Sequence, residues 1–102
     1  MTAGYRFAPK AARDLVQIWR YVRKHGGPQI ADAVECEIRE KIVILAGNPY
    51  IGHMRPDLTA LSLRFFTVHS YLIAYRPDPK PLQIVGILHG NRDVQRLLRN
   101  RT

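Results

Sequence analysis

Cysteine is nearly missing from this chain. Cys36 stands alone among 102 residues, which excludes an intrachain disulfide and a metal site built on several thiolates. Serine is scarce as well: Ser62 and Ser70 flank expected strands, and neither sits in a G-x-S-x-G elbow or a Gly-rich phosphate loop. The four histidines, His25, His53, His69 and His89, never fall at an i, i+4 or H-x-x-H spacing, so no metal is expected. No apolar run approaches the ~20 residues of a membrane span. Nothing apolar follows Arg6 and Lys10 to make a secretory leader. The expectation is a cytoplasmic protein without cofactor, metal or membrane contact.

Acidic residues are the other shortage. Eight Asp and Glu face 16 Lys and Arg, for a net charge of +8. The imbalance is local. Arg6, Lys10, Arg13, Arg20, Arg23 and Lys24 are opposed by Asp14 alone, and Arg92, Arg96, Arg99 and Arg101 by Asp93. Asp32, Glu35, Glu37 and Glu40 gather between these two ends. Such a pattern implies a polyanionic partner, either nucleic acid or an acidic protein segment.

What the chain does have is enough apolar residue for one modest core. A hydrophobic fraction of 46% against 24% charged marks a folded domain, and 1–102 is expected to form a single one. "GYRFA" (4–8) suggests a short first strand. Pro9 opens a helix whose stripe is Ala11, Leu15, Ile18, Trp19 and Val22, and Gly26-Gly27 stops it. Pro28 opens the next, with the stripe Ile30, Val34, Ile38, Ile42 and Leu45, ending at Gly47-Asn48-Pro49. So short a link means an antiparallel helix hairpin.

Residues 48–61 have two prolines, a glycine and no period, and predict an ordered loop. Three strands follow, in "LRFFTVHS", "YLIAYRP" and "LQIVGILH". The first two are joined by a tight turn near Ser70 and the last two by a proline-rich link. "NRDVQRLLRNRT" predicts a short helix with Asn91 as cap and Leu97-Leu98 as apolar foot. The fold class is therefore α+β: an N-terminal strand, a helix hairpin packed on an antiparallel three- to four-stranded sheet, and a short C-terminal helix.

The groups left for chemistry surround the strands. Metal-free RNA cleavage needs an acid or base and cations for the phosphorane; His89 could supply the first, and Arg92 and Arg64 the second.

Four segments, "ARDLVQIWRYVRKHGG", "ILAGNPYIGHMRPDL", "LRFFTVHSYLIAYRP" and "IVGILHGNRD", together resemble the RelE/ParE superfamily of bacterial type II toxins, and its ParE branch in particular. The resemblance covers nearly the whole chain. It implies a toxin neutralised by direct binding of an antitoxin, the two forming a hetero-oligomer. RelE-like members are ribosome-dependent mRNA endonucleases that use an arginine on the strand matching "YLIAYR", another just after the last strand, and a tyrosine in the C-terminal helix. Arg92 fits the second position, but Leu72 stands at the first, Leu97-Leu98 lie near the third, and no tyrosine follows Tyr75. ParE-like members act on DNA gyrase without chemistry of their own. The resemblance thus implies a gyrase inhibitor with no catalytic residue and a ParD-like antitoxin. The alternative is a RelE-like nuclease using Arg92, His89 and Arg64. Arg92, Arg96, Arg99 and Arg101 are the candidates for contact with gyrase or its DNA. Trp19, Tyr21, Phe66, Tyr71 and Tyr75 are the candidate antitoxin anchors, since so many aromatics exceed what one small core holds.

Overall fold

A computed structural model describes residues 4–78, 80–90 and 92–101. Its elements run β1 (Tyr5–Phe7), α1 (Pro9–Gly26), α2 (Pro28–Gly47), β2 (His53–Met54), β3 (Arg64–Val68), β4 (Tyr71–Arg76), β5 (Leu82–His89) and α3 (Val94–Arg99). The α+β class and the order of elements are as expected. The sheet is wider than expected and mixed, with strand order β1-β5-β4-β3-β2. β1 lies parallel to β5, pairing Tyr5 with Leu82 and Phe7 with Ile84, while the other neighbours are antiparallel. The fifth strand is β2, inside the segment expected to be loop. It has only two residues, both exposed, too few to show any alternation.

The hairpin forms for the reasons its punctuation implies. Pro9 and Pro28 each occupy a first helical turn, where a missing N–H costs nothing. Arg23, Lys24 and His25 fill the last turn of α1, where the helix dipole favours cations. Gly27 alone joins the helices, at φ +92°, a conformation that side chains with a Cβ resist.

Ala11, Leu15 and Ile18 of α1 and Ala31, Ile38, Ile42 and Leu45 of α2 are buried. Ile30, expected in this stripe, is 54% exposed. The adjacent Ala31 takes the inward position instead.

Two cores result, one on each face of the sheet. Leu15, Ile18, Ile38, Ile42 and Leu45 pack on Val68, Ile73, Tyr75, Leu82, Ile84 and Ile87. On the reverse, Leu63, Phe65, Ala74, Val85 and Leu88 are covered by Val94 and Leu98 of α3. The reverse face is thus covered in part by α3.

The near-continuous apolar run of β5 follows from burial on both sides. Its alternation is broken by a bulge. Ala74 pairs with Gly86 but Tyr75 with Ile84, so Val85 is the extra residue. The bulge sends both Ile84 and Ile87 to the helix side. α3 is capped by Asp93, whose carboxylate accepts from Arg96 N at 3.1 Å; Asn91, the expected cap, falls outside the described residues. Among the described residues no helix is long and apolar enough to cross a membrane.

Candidate binding cleft

β1 ends at Phe7 because Pro9 starts α1, so β5 loses its strand neighbour from Val85 onward. A strand edge left bare exposes main-chain groups that need partners. Here side chains provide them. Asp14 of α1 accepts from Ile87 N at 3.0 Å, and Arg101 donates to Val85 O at 3.3 Å. Arg101 also grips Asp14 with both guanidinium nitrogens, Nη2 to Oδ1 at 2.9 Å and Nη1 to Oδ2. Lys10 adds a tie by donating to Asn100 O at 2.9 Å. The ion pair is nearly buried, with side-chain exposures of 11% and 10%. Arg101 was expected to face a binding partner. Its charge is instead spent inside the chain, closing the edge of β5.

Above this edge, between α1 and α3, lies a cleft of about 640 Å³. Gln17 and Tyr21 form its α1 wall, Arg92 and Leu97 the opposite one, and Tyr71 and His89 reach it from the sheet. Tyr21 is 61% exposed. Its ring stacks on His25 one turn later, with centroids 4.1 Å apart, and His25 Nδ1 lies 2.8 Å from Tyr21 O. Tyr71 stands edge-on to His89 at 5.4 Å. Burial, and then the neighbouring Tyr21 phenol, push the Tyr71 hydroxyl above its ordinary range, so it stays protonated.

Arg92, Arg96 and Arg99 are exposed around α3. Arg13, Gln17, Arg20 and Lys24 form an exposed row along α1, at spacings of four, three and four. None of these cations has a carboxylate partner among the described residues. The acids are all occupied. Asp14, Asp32, Glu35, Glu37, Glu40, Asp57, Asp78 and Asp93 each accept from a group within the chain. Six of these acids are themselves exposed, so the charges separate by element: Asp32, Glu35, Glu37 and Glu40 lie on α2, and the unpaired cations on α1 and around α3.

The trio considered for RNA cleavage is not brought together. His89 pairs with Tyr71 and Arg64 with Tyr75, four residues apart along β4, which is about 14 Å at ~3.4 Å per residue. Arg64 is a loop anchor. It donates to Gly52 O at 2.8 Å and Tyr50 O at 3.3 Å, with the Tyr50 ring 5.1 Å away.

The aromatic candidates divide by burial. Trp19 is half-buried in a shallow groove between α1 and α2, its Nε1 donating to Asp32 at 2.8 Å. Phe66 is half-buried against the core. Tyr75 is fully buried; its hydroxyl donates to Pro49 O and accepts from Gly52 N, both at 2.9 Å. It pins the loop before β2 and offers no surface to a partner, contrary to expectation. Asp14 was not singled out from the sequence. Its signal was being the one acid among the N-terminal cations, beside Leu15 on the apolar stripe.

Comparison with known proteins adds two findings. The family model described as the ParE toxin of the type II toxin-antitoxin system, parDE, matches residues 5–94. The match stops at Val94, so Arg96, Arg99 and Arg101 lie beyond it. A solved structure of the chromosomal ParDE TA system from P. aeruginosa contains a similar chain, 25% identical, with a TM-score of 0.71. The alignment covers 83% of this chain and 92% of that one. No curated protein matches.

Proposed function

The chain belongs to the ParE toxin family of type II toxin–antitoxin systems, and on that footing we propose that it inhibits DNA gyrase by binding and is silenced by a ParD-like antitoxin. The observation that carries this reading is the family match across residues 5–94. The charge distribution supports it: Arg13, Arg20, Lys24, Arg92, Arg96 and Arg99 are exposed without a carboxylate partner among the described residues, which suits gyrase with its bound DNA. Arg92, Arg96 and Arg99 are the residues for that contact. An acidic antitoxin segment would meet the same field and anchor on the accessible aromatics Trp19, Tyr21, Phe66 and Tyr71. The nuclease alternative has less support, because Arg64 lies far along the sheet from His89 and Arg92.

A supercoiling assay tests the proposal. Purified chain added to gyrase and relaxed plasmid should stop supercoiling and accumulate cleaved DNA, and the antitoxin should restore activity. Full supercoiling at a large excess of toxin would reject it.

A further inference from the structure

The geometry points to the cleft between α1 and α3 as a binding site for single-stranded DNA. Grooves that take single strands combine cations that follow the phosphates with aromatic faces on which bases stack. Both are present here. Tyr21 is fixed on one face by its stack with His25, and its 61% exposure leaves the other face open to a base. Tyr71 reaches the same cleft from the sheet, close enough to Tyr21 for the two phenols to interact. Arg92 stands on one wall, and the exposed row of Arg13, Arg20 and Lys24 runs along the helix that forms the other.

Gln17 on that wall offers an amide for a base edge. The apolar contacts of Ile18 and Leu97 suit the flat face of a base better than a hydrated duplex backbone. The choice of DNA over RNA rests on the gyrase reading above; the cleft itself asks only for an unpaired strand. An antitoxin segment lying in this cleft would exclude the strand, which gives neutralisation a competitive route.

The test is fluorescence anisotropy with the full chain and a fluorescein-labelled DNA strand of about a dozen nucleotides. Strands of the same sequence as RNA and as duplex DNA are run beside it. Tyr21→Ala should weaken binding about tenfold and Tyr21→Phe by less than about twofold, since the ring and not the hydroxyl stacks. Arg92→Ala should lower the slope of log K against log salt by about 0.7.

Unchanged binding by Tyr21→Ala, equal losses in both Tyr21 variants, or tighter binding of the duplex or the RNA would overturn the assignment. Gyrase inhibition, measured on the same preparations, separates the two readings. Inhibition without strand binding removes this inference alone, and strand binding without inhibition removes the gyrase reading alone.

Discussion

Replacing Arg101 by alanine strands the Asp14 carboxylate in a nearly dry site with Ile87 N–H as its one remaining donor among the described residues. Breaking a buried pair on one side costs about 3–5 kcal/mol. About a tenth of each side chain still reaches water, so the lower end, about 3 kcal/mol, is expected. That is a large share of the roughly 5–15 kcal/mol that holds a small domain together. At about 4–8 °C per kcal/mol, the melting temperature should fall by roughly 12–24 °C.

Asp14→Ala should cost about 1–3 kcal/mol, because Arg101 can turn to water while Ile87 N–H loses its acceptor. The double variant should then show a coupling of about 2 kcal/mol. Urea unfolding followed by circular dichroism, at low salt and near 1 M salt, reads all of these. An Arg101→Ala loss below about 0.5 kcal/mol would mark the pair as an ordinary exposed one and refute the reasoning. So would a difference that vanishes at about 1 M salt, where exposed charges are screened. Deleting residues 93–102 removes Val94, Leu98 and Arg101 together, so loss of toxicity in that truncation would report damaged packing as well as lost surface charge.

Tyr75→Phe should cost about 1–3 kcal/mol, since Gly52 N and Pro49 O lose a buried partner. It should also change the alkaline limb of stability. Burial raises the Tyr75 phenol above its ordinary 10.0, so the unfolded chain loses that proton first. Stability is then held below pH 10 and lost as pH rises toward the folded-state value. Urea midpoints of the wild type should fall above pH 10.0, the ordinary phenol value, and those of Tyr75→Phe should fall less steeply. Tyr71, raised likewise, keeps part of the effect, and identical slopes would contradict the burial argument. Gly27→Ala meets open space but keeps φ +92°, so a purely conformational loss of about 1–3 kcal/mol is expected. A more stable variant in urea titration would show that the link between the helices relaxes.

The helix hairpin was legible because its punctuation is local: Pro9, the Gly26-Gly27 pair and Pro28 act within a turn of where they stand. The three long strands were legible for a similar reason, through β-branched and aromatic runs bounded by turns. β1 was legible as a strand, but β2 and the partner of β1 were not. The parallel pairing of Tyr5 with Leu82 joins opposite ends of the chain, and no nearby residue encodes it.

The site was misread where a side chain's direction depends on tertiary packing. Tyr75 and Tyr71 lie on one strand, and composition cannot say that one is sealed inside while the other reaches the cleft. Arg101 belongs to the same basic stretch as Arg96 and Arg99, and nothing in its sequence neighbours marks it for burial. Only the bare edge of β5, created by the early end of β1, makes it a structural ion. Arg64 and His89 looked like members of one site because strand ends are close in topology, but the antiparallel register places them at different ends of β4.

The borders of the sheet have a consequence for how this chain behaves at high concentration. One border is β2, only two residues long. The other is the three residues of β1, followed by the stretch from Val85 to Ile87 occupied by Asp14 and Arg101. On the β5 side a second molecule seeking to extend the sheet therefore finds the main-chain groups from Val85 to Ile87 already partnered, which is one way natural β-proteins avoid fibre growth. The aspartate and the arginine act here as a guard against self-assembly, and a chain that lost either would present β5 as a template for its neighbours.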